Sequence, residues 1–509
     1  MYFENITIGL NFSVKFTTIN LTASFENIIK KGLMIMKKRL ISIIMLVLML
    51  VPNLSAVAQV DTSNVAQVVN YSEWAADELN LGSYYGIIPT SWADLDFTKP
   101  IKGSQLRALI AQLKHKILAS NKAAQEYIPS LDFDKITVEE VLKALYDVIS
   151  SYEYSADIGL DKGYNPVEYM TQYGVYNELG AELKLQDICS VEQACVFATR
   201  IVTYLYEALD ASSKGFLWEV NNKGNKVYLL GSIHVANHDI YPFSQEMLKA
   251  YESSDALIVE VNLFDYVGLM NFTALTMYSD GTSLKDHISE ETYKETVELA
   301  GLFGLREEDI AMFKPWYINT LFSNLSSTET GDFDEASIAA QLGIDMNFMV
   351  NAMMQGKPIL EIEGYEFQGK VMDSFSRELQ EYLLKDSINS LKNMIYNPGS
   401  QVSTGYDYIN VLLNLWKIGD AETFGQVYGV DYEAIKNSTI SQVEKELIEE
   451  YIDKLIRKRD IGMADYIDNL LNAEGNNTYF VVVGSGHYIS DYSVIDILIE
   501  KGYTVNQIK

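Results

Sequence analysis

Two apolar runs in this chain end in the same four-residue pattern. VYLLGSIH runs from Val227 to His234, and YFVVVGSGH runs from Tyr479 to His487. A short apolar run bounded by turn residues reads as a buried strand. The second run is followed by a helix-like pattern at Val494, Ile497 and Leu498. Two of the chain's five histidines therefore hold the same place in two strand-turn units, Gly231-x-x-His234 and Gly484-x-x-His487. Gly231 and Gly484 are the expected turn glycines. Strands that lead into helices make an α/β (α+β) domain, in which side chains just past the strands' carboxyl ends share one cleft. A third run, DALIVEVN from Asp255 to Asn262, carries Glu260 among apolar residues. A carboxylate there costs several kcal/mol unless it is paired or binds a cation.

Two imidazoles and a carboxylate suit a divalent Mn, Co, Zn or Fe ion with an open position for water and a carbonyl. His234 and His487 are the expected ligands, and Glu260 the expected ligand or general base. Asp345, in GID, and Glu361, in ILEIEG, are candidates for a further ligand or for orienting a histidine. Arg459 has two readings: a catalytic group that holds a substrate carboxylate or stabilises an oxyanion, or a surface ion pair in RKRD. His238 lies four residues after His234, but in a loop-like stretch with no H-E-x-x-H pattern, so it is expected to be a supporting residue at most. His115 and His287 read as surface residues. No G-x-S-x-G elbow or phosphate-binding P-loop pattern occurs.

The 69 acidic and 39 basic residues give a formal net charge of −30. Such a surface repels polyanions and argues against nucleic acid as a partner. Residues 290–460 carry amphipathic helical patterns and read as a helical insertion capping the site. Their methionines, Met346 and Met353 among them, are expected in the core.

At the N-terminus, Met36-Lys37-Lys38-Arg39, an apolar stretch and Ala56-Val57-Ala58 form a signal-peptide pattern over 36–58. Residues 1–35 are expected to be an upstream extension, with translation starting at Met36. The protein is expected to be exported, extracellular or associated with the cell wall, and anchored if the signal is retained. Cys189 and Cys195 could pair or stay buried and free.

Residues 59–210 contain a weak internal repeat. SYYGIIP leads to an amphipathic helix, TQYGVYN leads to another, and LDFDKITVEEVLKALYDVI is a shorter copy. This all-α region resembles the S-layer homology domain, which implies attachment to cell-wall polysaccharide. The arginine that the family uses for that contact is missing at Lys102-Gly103, Thr137-Val138 and Ser190-Val191. A purely structural module is the other reading.

Residues 214–509 resemble the TraB/GumN family, which includes the Tiki proteins. The resemblance is carried by His234, Glu260 and His487 in order, by GIDMNFMVNAMMQGKPILEIEGYEFQ, and by RKRDIGMADYIDNLL with Arg459 at the family's arginine. Ser490 and Ser493 stand where the family usually has glycines, and Asp460 where asparagine is common. The resemblance implies a metal-dependent hydrolase acting on a peptide or small amide. Two alternatives are a non-catalytic binder that sequesters a peptide signal, and a wall-associated protein of structural role.

Overall fold

The computed structural model describes residues 70–122, 124–125, 136–153, 158–177, 183–396, 405–429 and 432–508. The signal-peptide segment and the expected upstream extension lie outside these residues.

Six strands form one mixed sheet: β1 (Phe216–Asn222), β2 (Asn225–Ser232), β3 (Ala256–Val259), β4 (Ile359–Glu361), β5 (Thr478–Gly484) and β6 (Val505–Ile508). Their spatial order is β4-β3-β5-β2-β1-β6. β1 and β2 form a hairpin closed by Lys223 and Gly224, both at positive φ (50° and 90°), which matches the strand twist in a two-residue turn. β6 pairs antiparallel with β1 on the outer edge. The other four strands are parallel, and β5 sits between β2 and β3. The last strand of the parallel set is thus inserted between two early ones. Ser232 pairs with Gly484, and Val259 with Val482, so three strands end at nearly the same level. β3 is buried throughout, as are Phe480 to Val483 of β5, because helices cover both faces.

Apart from β4, the elements among the described residues between β3 and β5 are helices, as the amphipathic patterns predict. Three of them reach the carboxyl ends of the strands. Ile344–Gln355 follows a backbone hydrogen bond from Ile344 to Ile233, in the first turn motif (3.1 Å). Gly364–Asp373 begins beside Glu260, whose carbonyl accepts from the amides of Glu363 and Gly364 (3.1 and 2.9 Å). Gly405–Ile418 sends the Trp416 indole N–H to the carbonyl of Gly231 at 2.7 Å.

The described residues before the sheet are mostly helical, with Gly103–Ala119, Val138–Ile149 and Val191–Ala208 as the longest helices, but Ala124–Gln125 pairs antiparallel with Tyr152–Glu153, so the region is not all-α as expected. The three dipeptides singled out in the repeats each start one of these helices, with Lys102, Thr137 and Ser190 at the N-caps. The segments leading into them meet through Ile101 N–H to the Cys189 carbonyl (2.9 Å) and Cys189 N–H to the Ile136 carbonyl (3.0 Å). Cys189 and Cys195 are both buried and free. Among the described residues, no helix is long and apolar enough to cross a membrane.

Candidate metal centre

The site is assembled from the residues just past three neighbouring strands. β2 delivers His234, β3 delivers Glu260 and β5 delivers His487. Gly231 lies inside β2 and Gly484 ends β5, and neither has a positive φ. Gly231 is needed for close approach, since a Cβ there would stand 2.9 Å from Ser485 Oγ and 3.1 Å from Ser485 Cα. Gly484 donates its amide to Glu260 Oε1 at 2.6 Å. The serines that replace family glycines are accommodated. Ser493 caps the helix Val494–Glu500, and the positive φ of this turn (63°) falls on Tyr492.

Each imidazole is braced from behind. His234 Nδ1 contacts Asp345 Oδ2 at 2.9 Å, and His487 Nδ1 contacts Asp460 Oδ1 at 2.5 Å. A carboxylate on Nδ1 fixes the proton there and leaves the lone pair on Nε2, as in metal-bound histidines. His487 Nε2 lies 4.0 Å from Glu260 Oε1. His234, Glu260 and Asp345 line one cleft.

Glu260 is only 6% exposed and fully engaged. Its Oε2 accepts from Arg459 Nη2 (2.5 Å) and Gln368 Nε2 (3.0 Å), and its Oε1 from the Gly484 amide. Burial alone would raise this carboxyl, but Arg459, the two histidines and the Gly484 N–H together bring it down to about 2. Both of its oxygens are committed to donors from the protein, which suits a fixed anionic group. For His234 burial opposes the charged form, yet the charge of Asp345 raises its pKa above the ordinary value. Asp460 is raised by burial, against the pull of His487 and Arg459.

Arg459 differs from both expectations. It is 1% exposed, so it forms no surface ion pair. Its Nε and Nη2 hold Glu363 at 2.8 Å each, Nη2 also holds Glu260, and Nη1 donates to the Leu455 carbonyl at 3.2 Å. These bonds commit its fork to the protein rather than to a substrate carboxylate or an oxyanion. Glu361 is also corrected. It accepts the Asn262 amide at 2.5 Å, while Glu363, two residues on, enters the site. His238 starts a short 3₁₀ turn and donates Nδ1–H to the carbonyl of Tyr84 in the N-terminal helices (2.9 Å), so it supports the interface between the two segments rather than the centre. Glu363 and Gln368 carried no individual signal in the sequence, although both lie in the stretch that bears the family resemblance.

Among the described residues, no group of three or more His, Cys, Asp and Glu side chains stands close enough together to hold a metal ion as placed. The donor types and the two Asp-braced imidazoles nevertheless fit such an ion.

The comparisons with known proteins agree with this region. A 27% identical match over 171 residues is to the uncharacterized protein YbaP of Escherichia coli, covering 32% of this chain and 61% of that protein. A metalloprotease TIKI homolog of Nematostella vectensis is 22% identical over 331 residues, covering 58% of this chain and 67% of the relative. Metalloprotease TIKI2 of Danio rerio is 22% identical over 317 residues, with coverage of 57% and 60%. The chain thus spans about three-fifths of the length of YbaP. No solved structure matches. The TraB/PrgY/gumN family model matches residues 216–507, more than half of the chain and all of the six-stranded sheet but Ile508, and the chain therefore belongs to the TraB/PrgY/gumN family.

Proposed function

We propose that this protein is an exported, metal-dependent hydrolase acting on peptides or small amides. One observation carries the reading: two imidazoles, each braced by its own aspartate, and one buried carboxylate stand just past the ends of three neighbouring parallel strands, with His487 Nε2 4.0 Å from Glu260 Oε1. The naming of distant relatives as metalloproteases supports it. His234 Nε2, His487 Nε2 and Glu260 Oε1 are the groups that would hold a divalent ion, whose chemistry is to polarise a carbonyl and lower the pKa of water. Asp345 and Asp460 keep the imidazoles in one tautomer and rotamer. Arg459, Glu363 and Gln368 hold Glu260 in one orientation, so they are positioning residues.

The test uses the purified full chain, elemental analysis, and a peptide mixture incubated with Mn, Co or Zn and read by mass spectrometry for new termini. Cleavage that a chelator stops, and that His234→Ala and His487→Ala lack, is expected. Bound metal without new termini under any of the three ions would sink the hydrolase.

The occupied state of Glu260 favours one second reading. Both its oxygens already accept hydrogen bonds from the protein, which suits a metal-free binder of a peptide signal. Tight peptide retention with no metal and no cleavage would select it. For the N-terminal helices we propose a structural role, supported by their docking on His238 and by the missing wall-binding arginines. Co-sedimentation with purified cell walls would overturn that role.

A further inference from the structure

Gln368 has a side chain whose orientation is fixed and whose carbonyl is unused. It is 3% exposed, on the helix Gly364–Asp373. Its Nε2 donates to Glu260 Oε2 at 3.0 Å and to Glu363 Oε2 at 2.9 Å. Turning the amide over would set its oxygen against two carboxylate oxygens, so only one of the two amide orientations is tolerated. Gln368 Oε1 is then directed away from the carboxylates. It is buried and has no hydrogen-bond partner among the described residues. An orphaned buried acceptor is costly, so a site that retains one has a use for a donor there.

Gln368 also lines the cleft that holds His234 and Glu260. The other walls are largely apolar: Val259, Val261 and Leu263 from the end of β3, and Ala340 and Met346 from the helices opposite. A second unpartnered acceptor, Asp345 Oδ1, lines the cleft as well. The cleft thus offers apolar surface and acceptors waiting for N–H groups.

We propose that this cleft is a specificity subsite for an apolar residue of a peptide, with Gln368 Oε1 accepting a backbone N–H of the bound chain. The inference deepens the peptide-hydrolase reading and rests on it for the identity of the ligand. It commits the site to an amide N–H beside a Leu-, Met- or Phe-like side chain. Acidic residues are refused twice, by the apolar walls and by repulsion from Glu260 and Asp345, which line the cleft. A proline or an N-methylated residue at the bonded position lacks the donor.

The experiment reads binding, so it stands apart from cleavage. The full-length His487→Ala protein is immobilised and challenged with acetylated hexapeptide pools. Each pool has one position fixed as Leu, Phe, Met, Ser, Asp or Lys, and retained peptide is measured by mass spectrometry. Apolar-fixed pools should be retained about tenfold over Asp- and Lys-fixed pools. N-methylation of one amide beside the fixed residue should reduce retention by about tenfold, the size of one hydrogen bond to a buried acceptor. That penalty should shrink below about twofold when Gln368→Met is added, an outcome that a merely structural glutamine would not give. Ala340→Leu serves as the second variant, and should shift preference from Leu and Phe toward smaller residues. Equal retention of charged and apolar pools, no retention of any pool, or an N-methyl penalty unchanged in Gln368→Met would each overturn the subsite. The hydrolase reading fails separately, through the absence of new termini in the active protein.

Discussion

Ser485 donates its hydroxyl to the carbonyl of Ser232, 253 positions earlier in the chain, at 2.9 Å. The Ser485 amide bonds the same carbonyl at 2.8 Å. This double link ties the two histidine-bearing turns together, and it is possible because Gly231 brings no side chain to the contact. Gly231→Ala would place a Cβ 3.1 Å from the Ser485 backbone, where a flexible side-chain end cannot simply move aside. The expected cost is about 1–3 kcal/mol of stability, read by denaturant unfolding. Removing the Ser485 hydroxyl in a Gly231→Ala/Ser485→Ala double variant should recover part of it, because Ser485 Oγ is the nearer atom at 2.9 Å. A stability unchanged in the single variant would show that the turns are not packed as described.

Arg459 bridges Glu260 and Glu363 in the buried cluster. Arg459→Leu leaves two desolvated carboxylates facing each other, and should destabilise the fold by about 3–5 kcal/mol. Arg459→Lys should recover less than half of that loss, since an ammonium cannot reproduce the bidentate fork that grips Glu363. Equilibrium unfolding of the three proteins at pH 7 checks the order. A lysine variant as stable as the parent would reduce the cluster to simple charge balance.

His234, Glu260 and His487 were legible because their signals are local: an apolar run, a glycine and an imidazole at fixed spacing. The order of β2, β5 and β3 explains why this local pattern became one site. The choice of Glu361 over Glu363 failed because it hangs on where β4 ends. The strand stops at Glu361, and Gly364, at φ 76°, swings the chain into its helix with Glu363 at the corner. Arg459 was unreadable for another reason. A π-helical turn over Asp453–Arg457 alters the angular register of the RKRD segment, so a sequence that looks like an exposed charged face turns Arg459 and Asp460 inward. His238 shows the limit of spacing arguments, because its partner is a backbone carbonyl at residue 84.

Asp460 braces His487 only through Oδ1, and its other oxygen has no partner among the described residues. Asp460→Asn keeps an acceptor for Nδ1–H, whereas Asp460→Ala removes it. If the centre holds a divalent ion, the alanine variant should lose about 10–100-fold in metal affinity, and the asparagine variant substantially less. Titration calorimetry with Mn or Zn at fixed pH gives both values. Equal affinities for the alanine variant and the parent would exclude His487 as a ligand.

Lys116 gives the pH dependence that is most open to measurement. It lies on the helix Gly103–Ala119, is 2% exposed, and donates to the carbonyl of His238 at 2.5 Å, where the N-terminal helices dock on the loop after His234. Around it stand the Tyr206 ring, Asp239 and Lys417, with His238 itself and His115 close by. Burial lowers its pKa to about 7, with Asp239 opposing and Lys417 reinforcing the shift. The folded value lies below the unfolded value of 10.5, so the unfolded chain binds more protons between them and stability rises with pH across that window. This stabilisation is complete above 10.5 and is lost as pH falls toward 7. Lys116→Met removes the titrating group and should flatten the rise relative to the parent by up to about 4 kcal/mol. At pH 6 the variant should be the more stable protein, because it no longer carries a buried ammonium, less about 1 kcal/mol for the His238 carbonyl left without its donor. Unfolding free energies of both proteins at pH 6, 8 and 10 test the sign. Parallel curves would mean that Lys116 reaches water and that the junction beside His234 is open.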